Sequence, residues 1–433
     1  MQADAALILI AVAIAAGSAC LGAISAVRRV VALAPADAMR PEPPPSFRAG
    51  LLERIGLRTL LAPASRMIVR NLDRRRWRAA FSALAVALSV AIVVSGRYAI
   101  DAVDQLVSIQ FHNVQREDVT VVFQEPRPAR VRHELTQLAG VLRVEPYREI
   151  PARLRLGHRS RRVAVLGVPT HSELRRPVDR QLRPVDLPPD GLVLNTKLAE
   201  ILAARPGDIV TVEVLEGARP VRQVLVAALA DEPVGLGVYM DVYALHRLMR
   251  EGDTISGAYM KVDSRTAPQL YSILKHIPSI SGVAVREAML ASFWKTFGDS
   301  IWVSTEFLVG FASVIAFGIV YNGARIALSE RGNELACLRV LGYTRGEIGR
   351  ILLGEQGLLT LVSIPAGFAL GFALSLLLSR FFSRELFRLP LVVNAGTYAF
   401  AAIVVFAAAI LSGLIVAQRL RHMDLTEVLK SRE

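Results

Sequence analysis

The chain has 433 residues, 53% of them hydrophobic, a formal charge of +13 and only two cysteines. Apolar mass on this scale, gathered into a few stretches, excludes a single soluble domain, and two cysteines exclude a disulfide framework. The positive charge lies beside the apolar stretches rather than in one basic domain, so it reads as an orientation signal and not as a nucleic-acid footprint.

Residues 5–26 are the first of five stretches long enough to cross about 30 Å of hydrocarbon at about 1.5 Å per residue. No basic residue precedes this apolar run and Arg28 and Arg29 follow it, which predicts a retained helix (1–27) rather than a cleaved signal. Gly17 stands where a lipoprotein signal needs a large aliphatic side chain, so Cys20 is not read as a lipidation site.

Residues 28–78 form a basic linker, with twelve arginines from Arg28 to Arg78 against Asp37, Glu42, Glu53 and Asp73. That excess places the linker in the cytoplasm. It contains a Pro-rich piece, Pro41 to Pro45, an amphipathic stretch from Phe47 to Leu61, and the closing run Arg74, Arg75, Arg76, Trp77 and Arg78. The run suits anionic headgroups, although a plain topogenic anchor is the simpler reading.

The second stretch is 79–100, after which 101–300 returns to soluble composition. Val119 to Phe123, Val163 to Val168, Ile209 to Leu215 and Val221 to Ala227 read as strands. Arg130 to Leu138, Thr196 to Ala204, Val242 to Met249 and Ala267 to His276 carry apolar residues at helical spacing. The region is therefore expected to be an α+β domain. A weak duplication, a helix followed by Gly140 and Val141 and a helix followed by Gly282 and Val283, suggests two related halves in one lobe.

The remaining spans are 301–323, 356–379 and 396–417, separated by 324–355 and 380–395 and followed by the tail 418–433. Alternation puts the N-terminus, 101–300 and 380–395 outside, and 324–355 and the C-terminus in the cytoplasm. Arg380, Arg384 and Arg388 in the short outer loop run against that bias. Glu306 is the ionisable group well inside a span; a structural pair with Arg97, near the outer end of the second, is the favoured reading, and the alternative is that Glu306 lines a cargo path. With no chain of intramembrane ionisable groups, a proton relay has no basis. The seven histidines lack metal-ligand spacing, so no metal site is expected, and no Gly-x-Ser-x-Gly elbow occurs.

The segment 324–355 is patterned beyond what a turn needs. Leu328, Leu335, Leu338 and Leu341 can share a helical stripe that Gly342 ends, and Thr344 with Glu347 has capping-box spacing for a second helix running through Glu355 into the fourth span. A repeat also joins the chain ends: Asp37, Ala38, Met39 and Arg40 after the first helix, and Glu427, Val428, Leu429 and Lys430 after the last. It suggests that the first helix is the tail of an upstream unit and that 66–433 is one complete unit.

These parts resemble the FtsX-like, or MacB-like, permeases of ATP-binding cassette transporters. The residues that carry the resemblance are Glu330 with Arg331, Glu334, the run Leu338-Arg339-Val340-Leu341-Gly342, Glu355, Arg70-Asn71-Leu72 with its basic cluster, and Glu427 to Lys430. The resemblance implies a membrane α-helical bundle, here of about five spans, with an inserted extracytoplasmic α+β domain of the MacB periplasmic-core type. It implies that 324–355 couples to a cytoplasmic ATPase through Glu330, Arg331, Glu334, Leu338, Arg339, Gly342, Glu347 and Glu355. No Gly-x-x-x-x-Gly-Lys-Ser/Thr loop is present, so ATP and magnesium are expected only through that partner. A second permease subunit or half, membrane lipids and a periplasmic adaptor complete the implied partners, and a bacterial cytoplasmic membrane is the implied location. Extraction, export or mechanotransmission of a lipid-linked or amphipathic substrate is the expected role. The alternative is a membrane-anchored receptor or scaffold whose outer domain regulates an envelope partner.

Overall fold

The computed structural model describes residues 5–31, 67, 68, 70, 72, 73, 76–330, 340–382 and 388–422. The chain divides into two units, residues 1–60 and 61–433. In the first, α1 (Ala5–Val31) is a continuous helix of 27 residues, about 40 Å long. The Pro-rich piece, the amphipathic stretch after it and both copies of the terminal repeat lie outside the described residues.

Four helices of the second unit are long and apolar enough to cross a membrane. They belong to α2 (Arg76–Ser108), α8 (Asp299–Glu330), α9 (Arg345–Phe382) and α10 (Ala395–His422). The hub is α2, whose apolar window is 50% buried against 22% in each of the others. Its closest neighbour is α9, because Gly367 and Gly371 stand one turn apart on the facing side. A Cβ at 367 would meet Val90 Cβ at 2.5 Å and the Ala87 carbonyl at 2.8 Å, and one at 371 would meet Val94 Cβ at 2.7 Å. Small residues at this spacing let two backbones approach where lipid supplies no hydrophobic drive. Ser375, fully buried one turn further on, continues the stripe. Val86, Val90, Val93 and Val94 of α2 also share one buried cluster with Ala312, Ala316 and Val320 of α8 and Ala401, Val405 and Ala408 of α10.

Helix α2 does not end where its apolar stretch does. Ala102, Leu106 and Val107 keep a buried side, so the helix runs to Ser108 and then through a π-helical turn, Ile109–Val114, into the outer domain. The returning segment is built alike: α7 (Arg286–Phe293), a π-helical turn at Trp294–Gly298, then α8.

Between these stalks lie two lobes. The first contains β1 (Val119–Pro128), α3 (Val131–Thr136), the start of β2 (Val141–Leu156), β8 (Thr254–Val262), α6 (Ala267–Lys275) and β9 (Ile280–Val285). Its strands lie in the order β9-β1-β8-β2 with antiparallel neighbours, which is two split βαβ units in a ferredoxin-like arrangement. The duplicated Gly-Val pairs fall after the helices of these two units, Gly140 and Val141 leading into β2 and Gly282 and Val283 within β9.

The second lobe is inserted between the two units and comprises β3 (Arg159–Val168), β4 (Leu192–Asn195), α4 (Thr196–Leu202), β5 (Ile209–Val214), β6 (Val221–Ala230), β7 (Val238–Asp241) and α5 (Val242–Met249). Strand β3 pairs with both β2 and β7, so the order β2-β3-β7-β4-β6-β5 closes on itself as a six-stranded barrel. Its core is aliphatic, including Ile150, Leu154, Leu192, Leu194, Val210 and Val226. With 16 residues, β2 belongs to both lobes, and at its middle the buried Arg148 binds Glu216 and Glu251, each at 2.8 Å.

Replacing Gly367 by Val should overpack the α2–α9 contact by about 1–3 kcal/mol and lower the thermal midpoint of the detergent-solubilised chain. Gly310→Ala, at a position with open space around it, should leave that midpoint unchanged.

Candidate coupling and transmission site

Immediately before α9 the described chain, residues 340–344, forms an elbow. Gly342 adopts φ +97°, the left-handed conformation that glycine reaches without strain. Two residues later a capping box opens α9: the Thr344 N–H and hydroxyl donate to Glu347 Oε2 at 2.8 and 2.9 Å, and the Glu347 N–H donates to Thr344 Oγ1 at 3.3 Å. The elbow is anchored by Ile348 and Leu352 of α9 against Ala324 and Leu328 of α8 and Val416 of α10. From the box to Phe382 the chain is one helix of 38 residues.

Leu341 does not lie in the buried stripe with Leu328. It and Val340 are each 75% exposed, just before the turn at Gly342. Glu355, by contrast, is 7% exposed and lines a cavity between α2, α8 and α9, so within this chain it is internal and is not presented to a partner. Glu330 ends α8, whereas Arg331, Glu334, Leu338 and Arg339 lie outside the described residues.

Arg97 and Glu306 do not pair. Gly96 faces α8, where its carbonyl accepts from Thr305 Oγ1 at 3.3 Å. One residue further along a helix is a turn of about 100°, which carries Arg97 away from α8 and Glu306 away from α2. The Arg97 guanidinium instead lies 4.4 Å from the centre of the Phe400 ring on α10, a cation–π contact, and Glu306 is exposed.

At the outer end, the loop between α9 and α10 ties the bundle to the barrel. Arg388 Nη2 donates to Asn195 Oδ1 at 2.9 Å and to the Glu232 carbonyl at 3.0 Å, and the Arg388 N–H donates to the Pro233 carbonyl at 2.9 Å. Its Nη1 lies 2.8 Å from Asp231 Oδ1. Asn195 is also the N-cap of α4, where its Oδ1 accepts from the Lys197 N–H, so the arginine docks on a rigid helix terminus. The same loop is held to α2. Tyr98 Oη donates to the Pro390 carbonyl at 3.2 Å, and the buried Asp101 accepts from Asn394 N–H and Nδ2, each at 3.0 Å, and from Thr397 Oγ1 at 2.6 Å.

Beneath this staple lies a buried polar cluster. Arg175 Nη1 binds Glu117 Oε1 at 2.9 Å, and its guanidinium lies 5.4 Å from the centre of the Tyr259 ring, which stacks on Tyr147 at 4.4 Å. Tyr239 Oη donates to Glu232 Oε2 at 2.9 Å. Burial pushes the Glu117 carboxyl above its ordinary value despite Arg175. Burial likewise pushes Glu232 up to about 7, against the pull of Arg175 and the Tyr239 hydroxyl. Glu117 follows directly on the α2 stalk, and the Glu232 carbonyl receives Arg388. The α2 stalk and the Arg388 loop therefore both end on this cluster.

Residues 306–425 match the family of FtsX-like permease C-terminal domains. The match runs from within α8 through the elbow, α9 and α10. The chain is also similar to two solved structures. One is the periplasmic region of MacB from Actinobacillus actinomycetemcomitans, at 12% identity and TM-score 0.29, covering 42% of this chain and 95% of that one. The other is the extracellular domain of the noncanonic ABC-type transporter YknZ from Gram-positive bacteria, at 16% identity and TM-score 0.26, covering 36% of this chain and 87% of that one. No curated protein sequence matches the chain.

Sequence reasoning missed Asp101, Asn195 and Glu232, and noted Arg388 only as a cation on the wrong side of the positive-inside bias. That misplacement was the available signal, since an outer-loop arginine with no topogenic use has another partner.

Arg388→Ala should release the loop from the barrel at a cost of about 1–3 kcal/mol, seen as faster amide exchange at residues 231–237 while exchange in β8 is unchanged. Because the folded-state value of Glu232 is raised from 4.5 to about 7, its contribution to stability is fully present below pH 4.5 and is lost as pH rises through about 7. Wild type should therefore lose thermal stability across that window, and Glu232→Gln, which keeps an acceptor for Tyr239, should flatten the profile.

Proposed function

We propose that this chain is the permease subunit of an ATP-binding cassette transporter, coupling a separate cytoplasmic ATPase to an extracytoplasmic domain that extracts, exports or mechanically acts on a lipid-linked or amphipathic substrate. The observation that carries the reading is the elbow: an apolar knob, Val340 and Leu341, stands 75% exposed on a capped turn that continues without a break into α9. Exposed aliphatic side chains on a rigid turn are the chemistry of a protein contact rather than of a solvated loop. A push at that knob passes along α9 to its glycine contact with α2, and α2 runs on as a stalk of the outer domain.

In this reading the elbow faces the cytoplasm of a bacterial cell with α1 starting outside, Glu330, Arg331, Glu334 and Arg339 are the charged residues of the coupling segment, and ATP and magnesium are held by the partner ATPase. A second permease subunit completes the membrane unit, and a periplasmic adaptor is a further partner of the outer domain. The positive flanks of the spans and the match over 306–425 support it.

Purification of the tagged chain from its native membrane in mild detergent should recover a Walker-motif ATPase, and Glu334→Arg, Arg339→Glu and Leu341→Glu should each abolish recovery while leaving the chain monodisperse. Failure to recover any ATPase with wild type, even after gentle crosslinking, would replace the permease reading with that of a receptor or scaffold.

A further inference from the structure

The segment between β6 and β7, residues 231–237, is the part of the barrel that the outer loop grips. Arg388 holds it through the backbone carbonyls of Glu232 and Pro233, and Asn195 Nδ2 donates to the same Glu232 carbonyl at 3.0 Å. The Glu232 carboxyl is enclosed there, the residue being 3% exposed. Its Oε2 accepts from Tyr239 Oη at 2.9 Å, and its Oε1 has no partner among the described residues. A Cβ at Gly237 would stand 3.4 Å from Oε2, so the segment lies directly against the carboxyl. The cations nearby are engaged elsewhere. Arg388 Nη2 serves Asn195 and the Glu232 carbonyl while its Nη1 faces Asp231, Arg180 of the β3–β4 connection also faces Asp231, and Arg175 of that connection donates to Glu117. With Tyr239 of β7, these are the charged and titratable groups around Glu232 and its segment. A buried carboxylate is stable when two or three donors surround it, and this one has a single hydroxyl. A protonated carboxyl suits the same site, because it buries no charge.

We propose that Glu232 is a proton-controlled latch on the strut between the outer loop and the barrel. Protonated, it lets residues 231–237 stay closed under Arg388; ionised, it is hydrated only when that segment lifts, and the lifted segment takes with it the carbonyls that hold the loop. Burial pushes the closed carboxyl up to about 7, whereas a hydrated one returns toward 4.5. The closed state therefore binds the proton more tightly and is favoured at low pH. Its advantage declines from pH 4.5 to about 7 and changes no further above that. The strut is firm when the outer compartment is acidic and loose when it is neutral. This regulation belongs to the outer face and does not depend on the partner at the elbow.

The test is amide hydrogen exchange by mass spectrometry on the full chain in mild detergent from pH 5 to 8, with each rate divided by the intrinsic rate at that pH. In wild type, protection at 231–237 and 388–394 should fall roughly tenfold between pH 5 and 7 and then level off. The fall should exceed that in β8, which reports global opening. Glu232→Gln, a lasting mimic of the neutral carboxyl, should keep the segment protected throughout the range. Tyr239→Phe removes the one donor to the carboxylate and should extend the fall to higher pH; it serves if Glu232→Gln does not fold. The proposal is overturned if wild-type protection does not change with pH, or if it rises with pH because the ionised carboxylate draws Arg388 in. It is equally overturned if folded Glu232→Gln shows the wild-type fall or if Tyr239→Phe leaves the profile unmoved.

Discussion

The close approach of α9 to α2 is the constraint on which the rest of the structure depends. Gly367 and Gly371 leave no room for a side chain against Val90 and Val94, and this contact makes α2 the hub around which α8 and α10 assemble. A lipid-immersed bundle gains little from burying hydrocarbon, so such fitted surfaces decide which helices stay together. The two helices joined most tightly are also the two with the most distant attachments: α9 begins at the elbow, and α2 continues into the outer domain.

The outer domain meets the bundle at more than its two covalent stalks. Arg388 docks on the barrel, and Asp101 gathers the far end of the same loop onto α2, so the loop between α9 and α10 acts as a third strut. Its contacts are polar and partly exposed, unlike the dry α2–α9 seam. The weaker joint is where rearrangement costs least, and it lies above a carboxylate, Glu232, whose charge is itself finely balanced.

Much of this architecture was legible in the sequence because hydrophobic period and composition change sharply at its boundaries. The four apolar helices of the second unit, the strands around Val119, Val163, Ile209 and Val221, and the helices at 196–204 and 242–249 all follow from local pattern. Glycine and capping chemistry likewise made Gly342, Thr344 and Glu347 readable. What could not be read depends on rotation about a helix axis or on distant pairing. Whether Arg97 faces Glu306 or Phe400 turns on about 100° of azimuth, which residue type does not encode. The closure of the barrel through β3 and β7, and the docking of Arg388 on Asn195, join residues far apart in sequence. Leu341 is exposed, a matter of tertiary packing that helical period alone does not encode.

One consequence concerns the order in which the molecule is made. The ferredoxin-like lobe is split by the barrel, so β8 cannot reach its place beside β1 and β2 until everything from β3 to α5 has been synthesised and folded back. A folded barrel brings the end of β2 and the start of β8 close together, replacing the closure of a long flexible loop by that of a short rigid one. The lobe that carries both stalks is therefore completed after the barrel inserted within it, and α8 is the last stalk to emerge. Newly made chains would hold α2 in the membrane, with its glycine-fitting face uncovered, until α9 arrives.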